Sequence, residues 1–188
     1  MTAALEGAPP GPAAAEIASM LWRHLGLPAP PIELITAEQL PAGFRELLDH
    51  AAGMTATLAQ RWAEPIDIEL LADEISVEER SIYRFVVLRA ERSRVAVEIA
   101  LIRIVLDAFP GELRVRFVEA TRPFGSLLAE AGIVCHARPQ AFLALKADPF
   151  LAAKAAIVEG APLYGRINHL IRHDGVLLCE TVELLPRA

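Results

Sequence analysis

With 188 residues, a net charge of −6 and a mean hydropathy of +0.37, the chain is too acidic for a general nucleic-acid binder and apolar enough to enclose a large core or a deep pocket. Folded as one domain, a chain of this length buries roughly 70% of its unfolded surface. Its two cysteines, Cys135 and Cys179, are too few for a disulfide scaffold and lack metal-ligand spacing, which fits free thiols in a reducing, cytoplasmic compartment.

Residues 1–13 are rich in Ala, Pro and Gly and read as a disordered lead-in; with Glu6 and no basic stretch they make a poor signal peptide. Residues 14–188 then form a single domain. No apolar run reaches 18 residues without charges, so no membrane span is expected. Residues 14–25 carry Ile17, Met20, Leu21 and Leu25 at helical spacing, closed by Gly26. The prolines between 28 and 41 forbid one long element there. Residues 44–52 predict a short helix stopped by Gly53, and 54–62 lead into a strand in which Ile66, Ile68 and Leu70 alternate with Asp67 and Glu69.

Residues 82–88 and 95–106 are the most strand-like stretches, joined by a charged turn at 89–94. Alternation sets Arg84 on one face with Val86 and Leu88, and Glu98 with Ala96, Ala100 and Ile102. A guanidinium on an apolar face is costly unless it meets an anion, either Glu98 on the neighbouring strand or a ligand. Residues 112–119 are mixed in pattern. A helix over 123–131, a short strand over 142–145 and an alanine-rich helix over 149–159 follow. The chain closes with a hairpin, 164–172 and 176–185, across His173-Asp174-Gly175. Hairpin-paired strands with inserted helices predict an α+β fold on a single antiparallel sheet.

Few residues are candidates for chemistry. Glu180 and Glu183 are three apart on the last strand and so point to opposite faces; at most one faces the core, where a carboxylic acid serves acid/base work. Arg166 begins the partner strand. The histidines form no metal-ligand spacing, and no phosphate-loop, dinucleotide or hydrolase motif occurs. An apolar pocket with one or two arginines suits a small aromatic or anionic acid.

In order, these pieces resemble the chorismate pyruvate-lyase (4-hydroxybenzoate synthase) family over roughly residues 45–186. The matching pieces are Leu47-Leu48 with Met54-Thr55 and Leu58, then Tyr83-Arg84, then Val97-Glu98 before Ile102, Asp107 and Pro110. Pro123-Phe124-Gly125, Tyr164-Gly165-Arg166, Asp174-Gly175 and Glu183-Leu184-Leu185-Pro186 complete the series. The resemblance implies one antiparallel sheet with helices on one side and helical flaps over a buried pocket. It also implies a cofactor-independent elimination of pyruvate from chorismate to give 4-hydroxybenzoate, as in ubiquinone biosynthesis. In that reading Arg84 holds the ring carboxylate and Glu183 meets the ring hydroxyl and handles the proton. Met54 lines the pocket from a flap, backbone N–H groups at Phe124 and Gly125 bind carboxylate oxygens, and Arg166 is a second cation. Phe124 replaces the family's usual Leu, and Glu180 competes with Glu183, although the following Leu-Leu-Pro favours Glu183. The same fold also serves as the effector domain of transcription regulators, so a non-catalytic aryl-acid sensor is the alternative. A third reading is an accessory protein in which Arg84 sits in a plain ion pair.

Overall fold

The computed structural model describes residues 12–27 and 29–188. Most of the expected disordered lead-in lies outside the described residues; Pro12 and Ala13 already belong to the first helix. In chain order come α1 (Pro12–His24), β1 (Glu33–Ile35), α2 (Ala42–Leu48), α3 (Met54–Trp62), β2 (Ile66–Ser76), β3 (Ser81–Ala90) and β4 (Ala96–Val105). They are followed by α4 (Gly111–Glu119), α5 (Phe124–Glu130), β5 (Cys135–Lys146), α6 (Pro149–Ala155), β6 (Pro162–Arg172) and β7 (Leu177–Leu185).

All seven strands join one antiparallel sheet in the order β1-β5-β6-β7-β4-β3-β2. The expected α+β architecture therefore holds. On one face, Ala18, Leu21 and Trp22 of α1 and Leu151, Ala152 and Ala155 of α6 pack on Phe85, Val87, Leu101, Leu143 and Val182. On the other, α2 and α3 bring Leu47, Leu48, Met54 and Leu58 to Val86, Leu88 and Ala100. Beside them, α4 and α5 bring Leu113, Phe117, Leu127 and Leu128 to Ile82, Ile102, Ile104 and Leu170. Because both faces are covered, the central strands bury nearly every residue and read as continuous apolar runs rather than alternating ones. No helix of the described residues is long and apolar enough to cross a membrane.

Several expected boundaries move. Residues 112–119, mixed in pattern, belong to the helix α4: Leu113 and Phe117, four apart, fall on its buried stripe while Val115 and Val118 stay exposed. The stretch 54–62 is likewise helical, with Met54 and Leu58 buried. The helix expected to run from 149 to Gly160 stops at Ala155, because Ala156 takes the left-handed conformation without needing a glycine. The short strand at 142–145 is the end of the twelve-residue β5, whose earlier half is disguised by Arg138, Pro139 and Gln140 at a bulge. A second bulge, in β4 opposite Leu88 and Arg89, turns Ala96 into the α1/α6 core and away from Glu98. Gly165 marks the tightest approach of β6 to β7, since a Cβ there would lie 2.1 Å from the Glu183 carbonyl oxygen.

Candidate functional site

The face of the sheet under α3 and α5 is the floor of a cavity, and strand register arranges its side chains in rows. Arg84 of β3, Ile102 of β4, Thr181 of β7 and Asn168 of β6 stand level with one another. Two residues further on, the next row is Val86, Ala100, Glu183 and Arg166. A third row holds Leu88 and Glu98. Successive rows lie about 7 Å apart at the rise of an antiparallel strand. The roof is the start of α3 (Gly53, Met54, Thr55) and the start of α5 (Pro123, Phe124, Gly125). The space between floor and roof, counted together with the solvent at its open mouth, is about 710 Å³ and is walled mainly by apolar atoms.

Arg84 is 3% exposed, and its Nη2 donates to the Val118 carbonyl of α4 at 3.3 Å. Its Nε has no partner among the described residues. Burial pulls the guanidinium below its ordinary value, partly offset by the field of Asp73, its register neighbour on β2. The anticipated ion pair with Glu98 does not form: the two residues stand two rows apart, about 13 Å along the strands. In the same row as Arg84, Asn168 Oδ1 and Thr181 Oγ1 are also buried without partners. One end of the cavity thus gathers Arg84 Nε, Asn168 Oδ1 and Thr181 Oγ1, three polar atoms that no described residue satisfies.

Glu183 faces the cavity, whereas Glu180 points through the sheet to Arg103 (2.9 Å) and His169 (3.4 Å). Arg166 is fully buried but does not line the cavity. Its Nε donates to Glu183 at 2.5 Å, and its Nη1 donates to the carbonyls of Leu48 (2.8 Å) and His50 (3.0 Å). Those acceptors explain why α2 ends at Leu48 rather than running to residue 52: the chain beyond it is turned to meet the guanidinium. Arg166 therefore positions Glu183 and ties the α2–α3 segment to the sheet. Burial, then Arg166, lowers the pKa of His50 in that segment.

Met54 is buried in the roof. Phe124 lines the cavity while packing on Phe117 (5.0 Å between ring centroids) and Phe109 (5.9 Å), which fixes the start of α5. Gly125 lets the two roof segments touch, since a Cβ there would come within 2.7 Å of Thr55 Oγ1. The structure thus brings Arg84, Glu183, Met54, Phe124 and Gly125 around one cavity and sets Arg166 directly behind it. Sequence reasoning passed over Asn168 and Thr181. Each is two residues from a candidate, Arg166 or Glu183, and so shares its face. Glu98 was weighed only as a partner for Arg84.

No family model and no curated protein matches the chain. Solved structures do. The effector domain of PhnF from Mycobacterium smegmatis superposes with a TM-score of 0.54 at 16% identity, over 71% of this chain and 87% of that one. A second structure of PhnF from Mycobacterium smegmatis gives 0.52 at 15% identity, over 92% and 93%. At such identities the likeness is one of fold.

Proposed function

We propose that this chain is a small-molecule-binding domain whose ligand is a compact aromatic or cyclic carboxylic acid. The observation that carries the reading is the row of Arg84, Thr181 and Asn168, three buried polar side chains open to an apolar cavity. A carboxylate there accepts charge-assisted hydrogen bonds from Arg84, and Thr181 and Asn168 complete its surroundings. The ring lies over Ile102, Ala100 and Val86, and its far end meets the row of Glu183. The name of the similar effector domain agrees with this sensor-like reading. Isothermal titration calorimetry with benzoate-class acids tests it: 4-hydroxybenzoate binds the protein about 10- to 100-fold more tightly than it binds Arg84→Met. Equal affinity for both proteins would sink the reading.

A second reading, chorismate lyase, is favoured by Glu183, a cavity-facing carboxylate one row from the expected carboxylate site. In that reaction the ring C–O bond to the enolpyruvyl group breaks and a ring proton leaves. The released enol becomes pyruvate, and the ring becomes 4-hydroxybenzoate. In this reading Glu183, held by Arg166, would face the ring hydroxyl and take up the departing proton beneath the roof of α3 and α5. Incubation of the protein with chorismate separates the two readings. Equal amounts of pyruvate and 4-hydroxybenzoate establish turnover; bound aryl acid without pyruvate leaves a sensor.

A further inference from the structure

The third row of the cavity floor holds a carboxyl group to which neither reading gives a role. Glu98 is 2% exposed, lines the cavity, and has an Oε2 without a hydrogen-bond partner among the described residues. Among the described residues the one cation near this end is Arg166, whose Nε and Nη1 donate to Glu183 and two backbone carbonyls and whose Nη2 has no hydrogen-bond partner. Two carboxyl groups thus share a single guanidinium, and Glu98 is the one left without contact to it. A buried carboxyl group in that position keeps its proton and becomes a hydrogen-bond donor. Burial, reinforced by the Glu183 charge and opposed by Arg166, accordingly raises Glu98 well above the ordinary carboxyl range.

We propose that Glu98 is a specificity-determining residue that donates its carboxyl O–H to an oxygen on the ligand at the end opposite the ligand's carboxylate. The two ends of the floor are then complementary to one class of molecule. Arg84 takes an anionic carboxylate, and Glu98, two rows away, takes a neutral or developing oxygen such as a para hydroxyl. Glu183 accepts the proton of that hydroxyl while Glu98 donates to its lone pair, so an analogue without the oxygen leaves both groups unpaired. The assignment rests on the aryl-acid reading above.

The test compares 4-hydroxybenzoate with the near-isosteric 4-methylbenzoate by calorimetry. The wild-type protein prefers the hydroxyl compound by about tenfold or more, the cost of an unpaired buried polar group. Glu98→Leu narrows that preference several-fold, to the part that Glu183 alone supplies. Glu98→Gln, whose amide still donates and whose shape is conserved, keeps the preference and serves where the leucine variant folds poorly. A wild-type protein that binds both acids equally, or a Glu98→Leu protein that keeps the preference in full, overturns the role of Glu98 alone. Failure of the wild-type protein to bind either acid overturns the aryl-acid reading and this assignment with it.

Discussion

The two faces of the sheet carry the same kinds of charged side chain and treat them in opposite ways. Under α1, Arg103 reaches Glu180 at 2.9 Å and lies 3.7 Å from Glu79, and His169 sits 3.4 Å from Glu180. The Tyr83 hydroxyl donates to Glu79 beneath the stacked ring of His24, whose own nitrogens lie 3.6 Å from Glu74 and Glu79. There each charge has an opposite charge beside it. On the cavity face, Arg84 Nε, Asn168 Oδ1, Thr181 Oγ1 and Glu98 Oε2 have none. A buried polar group normally finds a partner within the protein or in solvent, so a cluster of orphans around a cavity marks where another molecule belongs. Arg103 Nε and His169 Nε2 also lack hydrogen bonds, but carboxylates lie 3.7 and 3.4 Å from them, so the absence of a nearby counter-charge, rather than polarity itself, separates the site from the scaffold.

Two arginines on the cavity face sharpen the distinction. Arg166 is built in: removing it strands Glu183 and frees the carbonyls of Leu48 and His50. Arg166→Met is expected to lower the unfolding free energy by about 3–5 kcal/mol, read from urea denaturation, because an uncompensated buried charge remains. Arg84 is the reverse case. Arg84→Met removes a desolvated cation that no carboxylate contacts, so the denaturation midpoint stays level or rises while aryl-acid affinity falls about 10- to 100-fold. A large loss of stability in Arg84→Met would place Arg84 with the scaffold and dissolve the comparison.

How legible was this in the sequence? The sheet's middle was plain, because 82–88 and 95–106 are apolar on both faces and no other element tolerates such runs as well. The face of Arg84 and the opposite pointing of Glu180 and Glu183 followed from alternation alone. What alternation cannot carry is a bulge. One extra residue in β4 turned Ala96 to the other core, and Pro139 hid half of β5. Nor does spacing within one strand say which residues of its neighbours stand level with it. That is why Asn168 and Thr181 were missed and why Glu98 was imagined beside Arg84 rather than two rows away. Helix ends were read from glycines, yet the helix expected to reach Gly160 ends at Ala156, and α3 and α4, which were not read as helices, end at Ala63 and Ala120; all three alanines take the left-handed conformation and cap the last turn with their own N–H groups.

The carboxyls of the two faces also titrate in opposite directions. Hydrogen bonding from His169, then Arg103, holds Glu180 below the ordinary 4.5. Its contribution to stability is present above the unfolded value and is lost as pH falls through the lower folded value. Glu98 is raised, so its contribution is complete below about 4.5 and is lost as pH climbs toward its folded value. Unfolding free energy measured across pH 3–9 in about one-unit steps is therefore expected to lose part of its acid-side slope in Glu180→Gln. Glu98→Gln loses part of the slope on the alkaline side. The same sign for both variants would mean that Glu98 is paired after all.

The smallest effect is expected at the seam of the roof. A Cβ on residue 125 would sit 2.7 Å from Thr55 Oγ1 and 3.1 Å from Thr55 Cβ, closer than side-chain rotation alone relieves. Gly125 does not need a left-handed backbone, so Gly125→Ala adds no backbone strain, and the crowding against Thr55 should lower global stability by about 1 kcal/mol. It pushes the starts of α3 and α5 apart, and bound aryl acid should leave a few-fold faster in stopped-flow displacement, about the change that a loosened lid gives. Thr55→Gly removes the clashing atoms from the other side. If the double variant restores slow release, the roof closes by the direct approach of these two segments; if it does not, Gly125 acts through α5 itself and the seam is only where the segments happen to meet.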